Sequence, residues 1–426
     1  MIPIVKDNIG DLASSDNYRA IAISSLVLKL FDLVIILLEG NKLTCDQLQF
    51  GFQEKSSTTM CTFAVTAVID YYNRAGSTVY ACAMDMSKAF DMVEWKSLFL
   101  ELDKRDISPL IIRVLLQVYV DQYCDVRWNE CFSDRFQVTN GVRQGAITSP
   151  IFYCIYCDEL IKILRKKKIG CRIGSEFFGI LVYADDIVLL SASCPGLQAM
   201  ISECEKFALQ RNLKFSTNED PKKCKTKCIV FSKRAAERTG VIPMILNEMP
   251  LKWVPTIKHL GSILQENNSM EFDCDSKRCS FIGKIHSLSQ EFHFVDPAVR
   301  MKLHKLYTES FYGSNLWNLF GINCEKIYRA YNISVRQTFQ VPRDTHRYLI
   351  ETISQCTRPK VFMSSRIVKF VNSMNNCHKI SIRVLSKLYQ NDLRTTLGKN
   401  MATISKLCDV PQNEQIQHEV LSTTRI

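Results

Sequence analysis

Apolar residues recur at helical spacing in some stretches of the chain and form short continuous runs in others. Residues 24–38 and 61–72 are apolar at mostly helical spacing, and residues 110–120 follow Pro109, which suits a first helical turn. Residues 78–85 instead form a β-prone run that ends in a carboxylate. The first third of the chain therefore predicts helices and short extended pieces around a buried strand.

The middle of the chain adds strands, and the remainder adds helices. Residues 179–190 are two apolar runs flanking Ala184-Asp185-Asp186, a pattern that predicts a pair of strands joined by an acidic turn. The other predicted elements are a strand pair at 123–138 with a turn at 128–130, a loop at 140–150, a helix from there to about residue 165, a helix at 195–211, a strand at 227–232 and helices at 297–317 and 328–339.

This succession predicts an α+β chain in two parts. The strands lie mainly before residue 265, and the later part is helical with scattered aromatic residues. A boundary is expected between 264 and 280, giving domains at 1–265 and 266–426. A length of 426 residues allows two or three packed units.

The charge balance is basic, with 54 Lys and Arg residues against 43 Asp and Glu residues and a formal net charge of +11. Lys and Arg that neutralise phosphates gain affinity by releasing counterions, so this balance favours a polyanionic partner such as nucleic acid. Many basic proteins bind no nucleic acid, however, and the charge alone decides nothing about function.

Eighteen cysteines are scattered along the chain, and the N-terminal residues show no secretory signal pattern. We therefore expect reduced thiols and a location in the nucleus or cytoplasm, not secretion. The close pairs Cys154/Cys157 and Cys224/Cys228 leave a zinc site open, although core packing suits the apolar surroundings of the first pair. The most apolar run, 26–38, is interrupted by Lys29 and Asp32 and is shorter than a membrane span, so no membrane association is expected.

Three carboxylates fall at or beside the ends of predicted strands. Asp185 and Asp186 are adjacent in a turn, and Asp85 ends a strand a hundred residues earlier. An Asp-Asp pair alone is as common in surface turns as in functional sites. Three carboxylates meeting at strand ends, however, would form an oxygen-ligand site suited to Mg²⁺, and two such ions can support an in-line phosphoryl displacement.

The blocks around these acids resemble the reverse transcriptases of non-LTR (LINE-like) retrotransposons, in the family's order and over roughly residues 1–265. In chain order, the blocks are Asn17-Tyr-Arg-Ala-Ile21, Gln49-Phe-Gly-Phe52, Asp85-Met-Ser-Lys-Ala-Phe-Asp91, Gly141-Val-Arg-Gln-Gly-Ala-Ile-Thr-Ser-Pro150, Tyr183-Ala-Asp-Asp186, Pro221-Lys-Lys-Cys-Lys-Thr-Lys-Cys-Ile-Val-Phe231 and Lys258-His-Leu-Gly261. Any one block is a modest signal, but seven in order indicate the family.

The resemblance implies an RNA-directed DNA polymerase, a nucleotidyltransferase of right-hand fold with fingers, an antiparallel-sheet palm and a helical thumb. Asp85 and Asp185 match the acids that bind both metal ions, Asp186 matches the third acid, and the backbone carbonyl of Met86 is expected to assist. The implied cofactor is a pair of Mg²⁺ ions, for which Mn²⁺ could substitute. The implied partners are an RNA template, a DNA primer and deoxynucleoside triphosphates.

The same resemblance implies positions that bind the incoming nucleotide. They are Lys6, Arg19, Phe90, Gln144, Gly145 and Lys225. Phe90 matches a steric gate against the ribose 2′-hydroxyl, with plain core packing as the alternative. Lys225 matches a lysine that protonates the leaving pyrophosphate, with Lys222, Lys223 and Lys227 as rivals, and Lys6 could equally be a surface charge.

The sequence departs from the family pattern in places, and two alternative functions stay open. Ala20 stands where many relatives carry proline, and no segment matches the endonuclease of full-length LINE proteins, so a truncated element is expected. One alternative is a catalytically silent remnant that only binds nucleic acid. Another is a group II intron maturase, which the match at Asp85–Asp91 disfavours. The sequence does not indicate an oligomeric state.

Overall fold

The computed structural model describes residues 1–218, 224–355 and 357–407. The strands in these residues are β1 (Ile2–Val5), β2 (Tyr18–Ile21), β3 (Val79–Asp85), β4 (Tyr123–Cys124), β5 (Arg127–Trp128), β6 (Cys131–Phe132), β7 (Phe136–Gln137), β8 (Arg172–Ile173), β9 (Glu176–Phe177), β10 (Ile180–Tyr183), β11 (Asp186–Ser191), β12 (Lys227–Phe231), β13 (Ile245–Leu246), β14 (Met249–Pro250), β15 (Thr256–His259) and β16 (Ser262–Gln265).

The α-helices in the same residues are α1 (Leu26–Glu39), α2 (Thr58–Arg74), α3 (Trp95–Asp103), α4 (Pro109–Val120), α5 (Ser149–Lys166), α6 (Cys194–Gln210), α7 (Glu271–Glu291), α8 (Pro297–Thr308), α9 (Ile322–Phe339), α10 (Arg347–Ser354), α11 (Pro359–Asn375), α12 (Ile380–Gln390) and α13 (Thr396–Leu407). Short 3₁₀ turns occur at Ser15–Asn17, Ala235–Arg238 and Ser314–Leu316. The predicted α+β class is confirmed.

The chain divides into two compact units that alternate along the sequence. The first unit comprises residues 1–57, 78–230 and 239–254, and the second comprises 58–77, 231–238 and 255–426. Compactness thus assigns α2 to the second unit although it lies early in the sequence. The functional boundary at residue 265 stays a prediction.

A four-stranded sheet in the order β10-β11-β3-β12 forms the centre of the first unit. β11 pairs antiparallel with β10 on one side and with β3 on the other. Almost every residue of β10 and β11 is buried, as expected for continuous apolar runs inside a packed sheet. Helix α6 packs against β11 and β3, and α5 packs against α6 and α3.

Most predicted elements of the first unit are found within a few residues of their expected bounds. In the acidic hairpin, β11 is an inner strand of this sheet, whereas β10 is at the end of the strand order. The strand pair expected at 123–138 is two short nested pairs, β4 with β7 and β5 with β6. The predicted turn lies between β5 and β6, and the register changes by one residue between the two pairs.

The second unit is mainly helical. Helix α7 packs against α8 and α9, and α11 packs against α12 and α13. Buried Asp273 accepts hydrogen bonds from Trp317 Nε1 at 2.8 Å and from Ile263 N at 3.0 Å, which ties α7 to the β15–β16 hairpin region and to the 3₁₀ turn. A single helix at 297–317 was wrong, because α8 ends at Thr308 and positive φ angles at Phe311 and Gly313 turn the chain before the 3₁₀ segment.

Within residues 1–218, 224–355 and 357–407, no helix combines the length and the apolarity that a bilayer crossing requires.

Candidate active site at the β3–β11 strand pair

Two of the three predicted acids face each other across neighbouring strands. Asp85 is the last residue of β3 and Asp186 is the first residue of β11, and the two are direct partners in the antiparallel register. Asp185 lies next to them in a two-residue turn, because Tyr183 pairs with Asp186 and only Ala184 and Asp185 connect β10 to β11. The backbone thus brings all three acids to one end of the sheet.

The environment of Asp185 and Asp186 disfavours their negative charge. Burial, together with the neighbouring charges of Asp185 and Asp85, raises the pKa of Asp186 to about 6, and the charge of Lys225 opposes this shift. Burial also raises the pKa of Asp185; its own backbone N–H opposes this shift, the charge of Asp85 adds to it, and the charges of Lys225 and Arg19 oppose it. Neighbouring carboxylates with raised pKa values are a site that a bound cation would stabilise.

The only cation recorded in an ion pair with these acids in the described residues is Lys225, whose Nζ lies 3.3 Å from Asp85 Oδ2. No group of three or more His, Cys, Asp or Glu side chains in the described residues is already arranged as a metal site. The carboxylate oxygens of Asp85, Asp185 and Asp186 nevertheless suit Mg²⁺, which prefers oxygen ligands. A cation would also offset the repulsion between these carboxylates. Joint binding of a cation would require the carboxylates to turn toward a common point.

Met86 follows the site directly. Met86 forms an isolated antiparallel bridge with Phe215. Two backbone hydrogen bonds flank this bridge, from Ser87 N to Lys214 O and from Ser216 N to Asp85 O, both at 2.8 Å. The buried side chain of Met86 accepts a hydrogen bond from Tyr153 Oη at 2.9 Å. This pairing fixes the backbone just after Asp85.

The ring of Phe90 is half-buried and stacks on Tyr153. The ring centroids are 5.0 Å apart and the interplanar angle is 15°. Tyr153 is fully buried in α5, and the carbonyl of Phe90 accepts a hydrogen bond from Val142 N at 2.8 Å. One face of Phe90 is therefore supported by Tyr153. The stacking favours a positioned ring but does not decide between a steric gate and core packing.

The loop that contains Gln144 and Gly145 is held against the strand region at the N-terminus. The carbonyl of Gln144 accepts a hydrogen bond from Ala22 N at 2.7 Å, and its Nε2 donates to Asp91 Oδ1 at 3.2 Å. Gly145 has a φ of +115°, and a Cβ there would lie 2.7 Å from Ala22 O. Only glycine fits this conformation and this close approach.

The two predicted cations near the N-terminus differ in position. The charge of Arg19 in β2 lowers the pKa of Asp185, so the structure places Arg19 within electrostatic reach of the acids. Lys6 instead donates from Nζ to the carbonyl of Asp16 at 2.8 Å. The structure therefore brings Arg19 toward the acidic turn, whereas the ammonium of Lys6 contacts Asp16.

Of the three alternative lysines to Lys225, the structure describes only Lys227. Lys222 and Lys223 lie outside the described residues. Lys227 is the first residue of β12 and is half-buried, whereas Lys225 is exposed and paired with Asp85. Of the lysines that the structure describes in this block, Lys225 is thus the one recorded in contact with an acid of the site.

Sequence analysis assigned no role to Asp32 in α1, which is buried in the structure. Its carboxylate accepts hydrogen bonds from Ile147 N at 3.0 Å and from Thr148 Oγ1 at 2.9 Å. Asp32 therefore fixes the loop that carries Gln144 and Gly145. An acid within an otherwise apolar helix was the available signal, since a buried charge needs hydrogen-bonding partners.

Comparison with known proteins identifies the family. Residues 4–272 match the reverse transcriptase (RNA-dependent DNA polymerase) family. The Pol polyprotein of the type-1 retrotransposable element R2 from Nasonia vitripennis is 27% identical over 215 residues, which cover 50% of this chain and 20% of that protein. The RNA-directed DNA polymerase from mobile element jockey of Drosophila funebris is 24% identical over 289 residues, which cover 64% of this chain and 30% of that protein.

A comparison of structures matches 92% of this chain with 60% of the apo telomerase from Candida tropicalis, at 14% identity and a TM-score of 0.41. The matches to the two retrotransposon proteins span a fifth to a third of their lengths. The resemblance predicted from the seven sequence blocks is confirmed by the family match and by these relatives. The chain belongs to the reverse transcriptase (RNA-dependent DNA polymerase) family, with relatives among the proteins of non-LTR retrotransposons.

Proposed function

We propose that this chain catalyses RNA-directed DNA synthesis, extending a DNA primer on an RNA template with deoxynucleoside triphosphates. The observation that carries the proposal is the register of β3 and β11, which sets Asp85 opposite Asp186 beside the Asp185 turn. Nucleotidyl transfer with two metal ions requires carboxylates held close together on a rigid element, and a strand pair provides this rigidity.

The proposed cofactor is a pair of Mg²⁺ ions, replaceable by Mn²⁺, held by Asp85, Asp185, Asp186 and the carbonyl of Met86. When bound, such ions activate the primer 3′-hydroxyl and balance charge on the departing pyrophosphate. The raised pKa values of Asp185 and Asp186, caused first by burial and then by neighbouring carboxylates, support cation binding, because a bound cation would stabilise the charged forms. The exposed ammonium of Lys225, paired with Asp85, is the proposed proton donor to the pyrophosphate.

The incoming nucleotide is proposed to lie between the acids and the loop around Gln144 and Gly145. The guanidinium of Arg19, which lies within electrostatic reach of Asp185, would contact the triphosphate. Phe90, supported by Tyr153, would exclude a 2′-hydroxyl. Lys6 remains a proposed phosphate contact, although its ammonium is bonded to Asp16 in this structure.

The template and primer are proposed to bind along basic surfaces of both parts of the chain. We propose that residues 1–265 are the fingers and palm and that residues 266–426 are the thumb, whose residues 356 and 408–426 lie outside the described part. A net charge of +11 supports binding of a polyanion. We propose a location in the nucleus or cytoplasm, where thiols stay reduced.

A primer-extension assay tests the proposal. Purified protein is given an RNA template, a labelled DNA primer and deoxynucleoside triphosphates in Mg²⁺ or Mn²⁺. We expect templated extension that EDTA abolishes and that ribonucleotides support poorly. Binding to the duplex without extension in either metal would overturn the proposal and favour the catalytically silent remnant instead.

A further inference from the structure

We propose that Gln49 is a positioning residue for the acidic hairpin, its side-chain oxygen holding the Ala184–Asp185 turn in place. The catalytic consequence rests on the proposed function, whereas the contact itself rests only on the geometry of the first unit. Gln49 lies 135 residues from Ala184 in the sequence, and none of its neighbours in the chain is an acid of the site.

The contact is a two-donor hydrogen bond inside the protein. Gln49 Oε1 accepts from Ala184 N at 3.0 Å and from Gly51 N at 2.9 Å, and Gln49 is 1% exposed. Both partners are N–H donors, so the side-chain atom between them must be the oxygen of the amide. Two donors on one oxygen fix the position of the side chain and of both backbone segments.

The turn needs such an acceptor because of its own conformation. Ala184 has a φ of +57°, in the left-handed region that residues with a Cβ seldom occupy. Its side chain is buried, and a buried backbone N–H without an acceptor is costly. Gln49 satisfies this N–H in the left-handed conformation and thereby favours the backbone that presents the next residue, Asp185.

Gln49 is itself anchored by backbone pairing to the hairpin. Phe50 N donates to Val182 O at 2.7 Å, Val182 N donates to Leu48 O at 2.9 Å, and Gln49 forms a parallel bridge with Val182. The segment Leu48–Phe50 therefore continues the sheet beyond β10. A side chain anchored in this way cannot follow the turn if the turn moves.

Gly51 shows how closely the segment approaches the turn. A Cβ built at Gly51 would lie 2.5 Å from Ala184 N and 3.1 Å from its Cα. Any larger residue would push the turn away from Gln49. The segment Gln49–Gly51 thus acts as a clamp, with glycine permitting the contact and glutamine making it.

The catalytic consequence follows from the position of Asp185. A shift of about 1 Å in a reacting group can cost about 100-fold in rate, so relaxation of the turn should lower kcat. Gln49 is buried and is not one of the residues proposed to contact nucleotide or template. Loss of the clamp should therefore leave the KM for deoxynucleotides within about 3-fold of wild type and reduce kcat by about 10–100-fold.

Two substitutions separate hydrogen bonding from packing. Gln49→Met keeps the length and burial of the side chain but removes the acceptor, whereas Gln49→Glu keeps an acceptor oxygen. Gln53→Met is the matched control, because Gln53 is a half-buried glutamine four residues away. For each protein, hydrogen exchange at the Ala184 amide is measured beside the amides of β3, and kcat and KM are measured by primer extension.

We expect Gln49→Met to speed exchange at Ala184 at least about 10-fold without a matching rise in β3, and to lower kcat selectively. Gln49→Glu should restore the protection of Ala184, and Gln53→Met should behave as wild type. Unchanged Ala184 exchange in Gln49→Met overturns the proposal, as does an equal rise across β3, which would indicate general destabilisation. If wild type does not extend a primer, the proposed function fails, while the exchange comparison still decides whether Gln49 holds the turn.

Discussion

Asp85 and Asp186 are direct cross-strand partners, so the sheet register itself determines that two carboxylates face each other. Like charges directly opposite each other in a strand pair destabilise the pair. Asp185 in the adjoining turn adds a third acid, and burial raises the pKa of both Asp185 and Asp186. The folded chain thus carries an energetic cost at this point, as expected where a cation is to bind.

This cost predicts that Asp186→Asn stabilises the metal-free protein at neutral pH. In the folded chain, the pKa of Asp186 is about 6, above the usual aspartate value of 3.8, so wild type loses stability as the pH rises from about 4 through 6. At pH 7.5 in EDTA, we expect the free energy of unfolding of the variant to be about 1–2 kcal/mol higher, after allowance for partial solvent exposure. Denaturant unfolding measures the difference.

The same comparison at pH 4.5 provides the control, because both proteins then carry a largely neutral side chain at position 186. The advantage of Asp186→Asn should shrink there toward zero. An advantage that is equal at both pH values, or a variant less stable than wild type at pH 7.5, would contradict the electrostatic interpretation.

Burial of His259 predicts a second pH effect, in the second unit. Burial lowers the pKa of this histidine from its usual value of 6.5 to about 4, and its Nε2 lies 3.9 Å from Cys61 Sγ. The unfolded chain therefore takes up a proton between pH 6.5 and 4 that the folded chain does not. Wild type should lose on the order of 3 kcal/mol over this range through His259.

Replacing His259 removes that contribution. We expect His259→Gln to lose less stability than wild type on acidification from pH 7 to 4.5, whatever its stability at pH 7. His286→Gln, at an exposed position of α7, serves as the control and should follow wild type. A wild-type pH dependence retained in His259→Gln would show that other groups cause the acid sensitivity.

The acidic hairpin could be predicted from the sequence because its information is local. Two apolar runs flank Asp185 and Asp186, and an apolar run ends at Asp85, so strand propensity and strand ends indicate the site. The family resemblance then supplied the order of the blocks and the roles of the residues. Neither step required knowledge of tertiary contacts.

The residues that support the hairpin could not be predicted in this way. Gln49 reaches Ala184 across 135 positions, and Asp32 reaches Ile147 across 115. These contacts depend on how segments pack, which periodicity does not encode. The end of α8 was missed for a related reason, since the positive φ of Phe311 is set by its surroundings and a phenylalanine does not predict it.

The stacked pair Phe90 and Tyr153 predicts a change in sugar selection. Removing the ring with Phe90→Ala should raise ribonucleotide incorporation relative to deoxynucleotide incorporation by roughly 10–100-fold, because removal of a clash favours the excluded substrate. Tyr153→Phe retains a ring for stacking and should keep wild-type selectivity. Competitive primer extension with both nucleotide classes measures the ratio. Equal loss of both activities in Phe90→Ala would instead identify Phe90 as a core residue.

Asp185 is proposed to support chemistry and not merely folding or nucleic-acid binding. Asp185→Asn keeps the shape of the side chain and removes its charge, so we expect primer extension to fall at least about 1,000-fold in Mg²⁺ and Mn²⁺. Primer–template binding should stay within about 2-fold of wild type, because it depends on basic residues and on salt. Asp103→Asn, at an exposed acid that ends α3, is the matched control and should extend normally.

The most direct measurement is therefore extension of a DNA primer on an RNA template by wild type, Asp185→Asn and Asp103→Asn, with duplex binding measured on the same preparations. We expect wild type and Asp103→Asn to extend the primer, and Asp185→Asn to bind the duplex without extending it. Equal extension by wild type and Asp185→Asn, or binding by all three proteins with extension by none, would contradict this expectation.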